Sequence, residues 1–294
     1  MLKTFAIALV LPFVACGADT TDIGPLPADD PSLRFALAGS IQIIESWSDG
    51  AGEVTGSWVY ADLKDKVTPL TYAAQAEAGA CKVWTSANSA CDPQCVEGET
   101  CAADATCVQE ANPTSAGDLT ISGLVVSPIT ATAGAFGYVF SPEAPSDGLF
   151  DAGDAITITA KGDAAGLPAF SAAVKGVADF GLQGIGLVEL VDGKDASISW
   201  TPAGDDSFVE LVLQLGWHGL PPTGIIVCRA PDSAGTLVVP AAVIAKFPYF
   251  GGGGLFQNPS WAERVSRTLV ATPAGPIEIT ASSRANVGVS HSEN

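Results

Sequence analysis

Short runs in which apolar and polar residues alternate recur along this chain, and that period of two restricts it to β structure. Ile156 and Ile158 alternate with Thr157 and Thr159, and Ile277 and Ile279 alternate with Glu278 and Thr280. Val209, Leu211, Leu213 and Leu215 share one face of a run whose other face carries Glu210 and Gln214. Side chains two apart point to the same side of an extended backbone, so each run buries one face. The pattern predicts strands at 34–45, 56–63, 81–85, 119–127, 135–140, 155–160, 188–191, 196–201, 208–215, 224–229, 236–239, 267–271 and 276–281. Turn dipeptides fall between them: Asp49-Gly50, Asp147-Gly148, Gly153-Asp154, Asp192-Gly193 and Gly204-Asp205. With 32 Gly and 20 Pro the chain lacks long helical stretches. Only 73–80 and 240–247 read as short helices, the second with Pro240 in its first turn. About a dozen strands imply an all-β fold, an antiparallel β-sandwich that is one large unit or two stacked ones.

The cysteines constrain this further. Five of them, Cys81, Cys91, Cys95, Cys101 and Cys107, are clustered, and Cys228 lies far downstream. Five is odd, so full pairing forces Cys228 to bond to a member of the cluster and ties the middle of the chain to a late strand. The run CDPQCVEGETCAADATC is too short and polar to build an apolar core, so disulfides must replace burial there. The expected pairs are Cys91–Cys101 and Cys95–Cys107 inside the insert and Cys81–Cys228 between strands. Structural zinc is the competing reading, but the Cys-x-x-Cys spacing it favours is missing.

The seventh cysteine, Cys16, has a separate use. Lys3 precedes an apolar stretch at 5–15, too short to cross a bilayer as a helix of about 20 residues. The run then reads Phe13-Val14-Ala15-Cys16-Gly17, in which small residues precede the thiol. This segment resembles the lipobox of bacterial lipoproteins, with Phe13 where that family most often has Leu. The resemblance implies cleavage before Cys16 and a lipid anchor on its sulfur; acyl chains contribute about 0.8 kcal/mol per buried CH₂. Gly17 in place of Asp implies sorting to the outer membrane of a Gram-negative cell. The expected organisation is a signal peptide at 1–15 and a lipidated Cys16 with an acidic, flexible tether to 32. An N-terminal β segment at 33–90, a Cys-rich loop at 91–112, a main sandwich at 113–289 and a flexible tail at 290–294 follow.

Charge and motifs then exclude function classes. Thirteen Lys and Arg against 32 Asp and Glu give a net charge of −19, which repels nucleic acid. Charged residues are only 15% and hydrophobic ones 47%, so the chain is globular. The two histidines, His218 in a Gly/Pro turn and His291 in the polar tail, are too few for a His-rich metal site, and G-x-S-x-G is absent. The Gly-rich segments 181–186 and 251–255 match no nucleotide-binding loop, and no cofactor is implied. Asp147, Asp151 and Asp154 are the calcium candidates, although Asp beside Gly also suits turns. Trp217 and Trp47 are the candidates for stacking on a ligand, whereas Trp200, in an alternating run, is expected in the core.

The order of segments carries a second resemblance: lipobox, acidic tether, a β segment ending in GACKVW, a C-x₃-C-x₅-C-x₅-C knot and DLTISGL. ISWTP, VELVLQL, GIIVCRA and GTLVVPAAVIAKF close the series. It resembles a group of lipoproteins of unknown function abundant in myxobacteria, and implies architecture and address only. The functional expectation is a non-catalytic, membrane-anchored envelope protein with a structural or surface-binding role. Its partners would be membrane lipid through Cys16 and an envelope protein or glycan. A glycan-binding module using exposed Trp, and a hydrolase using unmarked carboxylates, are the alternatives.

Overall fold

The structure is a computed structural model and describes residues 31–47, 54–68, 70–86, 91–134, 137–140, 148–180, 186–216, 221–249 and 259–292. Cys16 and residues 17–30 lie outside these residues, whereas Pro31 and Ser32, expected at the end of a flexible tether, belong to a 3-10 turn in which Ser32 accepts from Lys82 at 2.8 Å. After a 3-10 turn at Pro31–Phe35 come β1 (Gly39–Trp47), β2 (Val54–Leu63), β3 (Tyr72–Ala78) and β4 (Cys81–Ser86). A hairpin of β5 (Glu99–Cys101) and β6 (Cys107–Gln109) occupies the Cys-rich insert. Then come β7 (Leu119–Ser122), β8 (Ile129–Ala131), β9 (Tyr138–Phe140), β10 (Ala155–Ala160), β11 (Phe170–Lys175), β12 (Leu187–Val191) and β13 (Ala196–Ser199). β14 (Phe208–Leu215), β15 (Gly224–Pro231), β16 (Thr236–Val239), helix α1 (Ala241–Ile244), β17 (Ser260–Thr272) and β18 (Gly275–Ser292) complete the chain.

One ten-stranded sheet organises the rest, in the order β3-β4-β15-β14-β17-β18-β1-β2-β9, with β12 added to β18 beyond β1. β17 and β18 form a hairpin ladder from Ser260↔Val287 to Thr272↔Gly275. The other edge of β18 takes β1 over Ile277–Arg284 and then β12 over Gly288–Ser292, both parallel. The sheet is therefore mixed where a purely antiparallel one was expected. β1 and β12 are joined to β18 by long connections and not by hairpins, which lets them run parallel to it.

Two cores lie along one face of this sheet. Ile41, Ile43, Val59, Val270, Ile277 and Ile279 pack against the sheet β11-β10-β7-β8 through Ile121, Ile156 and Ile158. Further along, Val83, Leu211, Leu213, Ile226, Ala262 and Val287 pack against β12, the β13–β16 pair and α1. These are two sandwiches built on one shared sheet, in which β1, β2 and β4 are interior strands.

Arg264 stands on the core side of β17, between Ala262 of one core and Val270 of the other. It is 3% exposed and pairs with fully buried Asp232 at 2.9 Å. Its other donors reach the carbonyls of Ala178, Asp179 and Thr201, and Asp232 also accepts from the amide of Ala203. A guanidinium with a carboxylate and carbonyls on its donors keeps its charge without bulk water. Trp200 lies in the second core, its indole N–H donating to the Asp232 carbonyl at 2.9 Å. Glu45, 1% exposed on β1, accepts the amides of Leu149 and Phe150. A Cβ at Gly148 would lie 2.6 Å from Glu45 Oε1, and φ there is +105°, so this turn needs glycine.

Several elements differ from expectation. The run at 73–80 is strand β3, not a helix: alanine favours helix, but pairing with β4 gives this run a sheet ladder. Ser290–Ser292, expected as a flexible tail, belong to β18 because β12 supplies their ladder partners. The strand expected from Arg34 starts at Gly39, and the one expected to reach Ser127 ends at Ser122, before Gly123 at φ +88°. β5, β6, β8 and β11 were not foreseen, and β17 and β18 run well past 267–271 and 276–281.

Disulfides join Cys81 to Cys228, Cys91 to Cys101 and Cys95 to Cys107. The first bridges the neighbouring strands β4 and β15 across a sequence separation of 147 residues. Replacing Cys81 and Cys228 together by Ala is expected to lower stability by about 3–5 kcal/mol, since the cross-link restricts the unfolded chain. Urea unfolding of the two proteins measures this, and an unchanged midpoint would contradict it.

Candidate functional site

The outer face of the large sheet, opposite the two cores, carries a row of charges. Cross-strand register places Arg229 of β15 opposite Glu210 of β14, Glu210 opposite Glu263 of β17, and Glu263 opposite Arg284 of β18. Directly opposed side chains interact, and the two adjacent carboxylates repel unless cations answer them. Each has one. Arg229 Nε donates to Glu210, and Arg284 places Nε and a terminal nitrogen 3.0 and 2.9 Å from Glu263 Oε2. Beside this row, Arg267 of β17 meets Glu278 of β18 at 3.1 Å.

Two aromatic rings fix these cations. Arg34 and Arg284 lie 5.1 and 4.6 Å from the Trp261 ring centroid, and Arg229 and Arg267 lie 5.6 and 5.2 Å from that of Phe208. A guanidinium within about 6 Å of an aromatic centroid is attracted by the ring quadrupole. The Trp261 indole N–H also donates to Glu263 at 3.1 Å. Between the 3-10 turn and the sheet this leaves a cleft of about 180 Å³, walled by Arg34, Ser40, Gln42, Trp261, Thr280 and Arg284. A second hollow of about 270 Å³ adjoins it through Arg34, Leu37 and Ser40, and includes Thr68, Thr71 and Tyr72.

Electrostatics distinguish the carboxylates. Burial alone would push Glu210 up, but Arg229 and Arg34 outweigh it and hold its carboxyl below the ordinary range. Glu278 is raised, because burial and the charge of Glu210 together exceed the pull of Arg229 and Arg267. Arg267 is lowered by burial and by Arg229, whereas at Arg229 the charges of Glu210 and Glu278 overcome burial.

The residues singled out in the sequence lie elsewhere. Trp217, His218 and Asp147 lie outside the described residues, as does the side chain of Trp47, the last residue of β1. Asp151 and Asp154 make a turn, the Asp154 carboxylate accepting the Asp151 amide at 3.0 Å. His291, expected in the tail, is held in β18 with its side chain 2% exposed. Its Nε2 lies 3.2 Å from Asp192 and its ring stacks on Tyr249 at 4.2 Å. The cleft was not foreseen. Three of the chain's five arginines line it, with Arg267 behind Glu278, and no local pattern in the sequence marks them as neighbours.

No family model matches the chain, and no curated protein matches it. Among solved structures it is similar to the FN1–FN3 domains of chicken CNTN1, at 9% identity over 76% of this chain and 67% of that one, with a TM-score of 0.17. A tetra-tandem repeat from the extending region of a large adhesion protein is 10% identical, over 85% and 74%, with a TM-score of 0.16. A Ca2+-stabilized adhesin that helps an Antarctic bacterium reach out and bind ice is 12% identical, over 87% and 75%, with a TM-score of 0.17. At these TM-scores nothing is carried over from them.

The Glu210 carboxyl sits below its ordinary value of 4.5 in the folded protein, so its ionised form contributes stability above that pH. The contribution is lost as pH falls through the lower folded value. Glu210→Gln removes the carboxylate to which buried Arg229 donates and is expected to cost about 3–5 kcal/mol at pH 7. The difference from wild type should narrow below pH 4.5, as followed by urea unfolding across pH; a constant difference would show that the charge of Glu210 is not its source.

Proposed function

We propose that this chain is an exported, lipid-anchored protein of the cell envelope that works by non-covalent binding through the outer face of its large sheet. The observation that carries the binding reading is the cleft, in which Arg, Gln, Ser and Thr side chains surround an open space beside an aromatic wall. The three disulfides suit an oxidising compartment, and the lipobox-like Val14-Ala15-Cys16-Gly17 supplies the address. Stacking on exposed Trp is a weaker alternative: Trp84, Trp200 and Trp261 are buried and Trp58 is half-buried. The hydrolase alternative lacks a free pair of carboxylates here, since Glu210, Glu263 and Glu278 are each held by an arginine.

The anchor is tested in cells fed an alkynyl fatty acid. Wild type should take up the label and partition with detergent, and Cys16→Ala should do neither; equal labelling of both would rule out the lipid on Cys16. The binding face is tested by a photo-reactive residue at Gln42, inside the cleft, against one at exposed Val125. Irradiation of intact cells should give an adduct from position 42 only. Absence of any adduct there would remove the cleft as the binding face.

A further inference from the structure

The charges of the cleft specify the ligand class further, on the reading that this face binds. Arg34, Arg229 and Arg284 line the cleft with Glu210, Glu263 and Glu278, and Arg267, outside the lining, answers Glu278, so the ion-paired cluster holds four positive charges against three negative ones. The surplus is one cation, in a chain whose net charge is −19. Acidic groups elsewhere are screened beyond about 8 Å at physiological ionic strength, so the local balance governs an anion seated here. One negative charge neutralises the site, whereas a phosphate dianion would leave it negative beside three carboxylates.

The outermost cations are placed to meet that charge. Arg34 is 31% exposed and contacts Glu210 at 3.5 Å, the longest of the arginine pairs in the cleft; Arg284 is 16% exposed. Both stand beside the Trp261 ring. Arg284 gives Nε and one terminal nitrogen to Glu263, so Arg34 supplies the planar fork, which a carboxylate matches, and Arg284 adds its remaining N–H donors.

The rest of the cleft indicates what bears the carboxylate. β14, β17, β18 and β1 are each paired on both sides where they floor the cleft, so their backbone groups are used within the sheet. An extended peptide binds a sheet by adding to a free edge, and this floor has none. What remains are the hydroxyls of Ser40 and Thr280 and the amide of Gln42, then Thr68, Thr71 and the Tyr72 ring in the adjoining hollow. Side-chain hydroxyls and amides beside an aromatic ring suit a hydroxylated ring compound. We infer that the cleft binds the carboxylate of a sugar acid, with Arg34 and Arg284 on the carboxylate and the adjoining hollow taking a neighbouring sugar.

The test is calorimetric titration of the purified full chain with galacturonate, galactose, inorganic phosphate and an N-acetylated tripeptide with a free carboxyl terminus. Galacturonate should bind at millimolar concentration and galactose at least about tenfold more weakly, since the charge-assisted contact is lost. Arg34→Gln should weaken galacturonate about tenfold and lower the thermal midpoint far less than Glu210→Gln does, because Arg34 is 31% exposed and meets Glu210 only at 3.5 Å. Arg34→Lys, which keeps the charge and loses the fork, should fall between the two. Absence of galacturonate binding, an unchanged Arg34→Gln, or tighter binding of phosphate or of the tripeptide would each overturn the inference. If galacturonate fails while position 42 still cross-links in cells, only the ligand class is wrong; if both fail, the binding face falls as well.

Discussion

The hairpin of β17 and β18 is the constraint on which the rest of the molecule depends. Its ladder, from Ser260↔Val287 to Thr272↔Gly275, is long enough to pass from one hydrophobic core to the other. Even-numbered residues of β17 and odd-numbered residues of β18 therefore serve both sandwiches: Ala262 and Val287 one, Val270 and Ile277 the other. Because backbone pairing is continuous, the cores hold a common orientation without a linker between them. Arg264 occupies the position where apolar packing changes hands. Its bonds to Asp232 and to three backbone carbonyls fill that gap with a paired charge, and a charge so enclosed is costly to leave without partners.

The opposite face of the same hairpin has the opposite chemistry, and the pleat is the reason. Alternation that sends Ala262, Arg264 and Val270 inward sends Trp261, Glu263 and Arg267 outward. Register then aligns Glu263 with Glu210 and Arg284, so the charges meet as a row across strands. The 3-10 turn at Pro31–Phe35 covers part of this face. Phe35 packs 4.8 Å from the Trp84 ring, and Arg34 reaches Glu210 and Trp261. The chain segment that follows the acidic tether is thus also a wall of the cleft.

The Cys-rich insert shows how little burial such a segment requires. Its hairpin, β5 and β6, is three residues a side with none of them fully buried, and two disulfides close it. Cys81–Cys228 acts differently. It lies within the second core, between adjacent strands that are 147 residues apart in sequence, and reinforces a pairing that sheet hydrogen bonds already make.

Alternation at Ile156–Ile158, Val209–Leu215 and Ile277–Ile279 was enough to determine the β class, because a period of two directly reports one buried face. The odd number of clustered cysteines likewise tied Cys228 to that cluster once all six pair. What the sequence left open was decided by pairing at a distance. Helix propensity misled at 73–80, where β4 supplies the ladder, and polarity misled at 290–292, where β12 does. The charged row across β14, β17 and β18 was not legible, since nothing local to Glu210, Glu263 or Arg284 shows that they are cross-strand neighbours. Residues so far apart become one cleft only when register is set, and register is a property of the whole sheet.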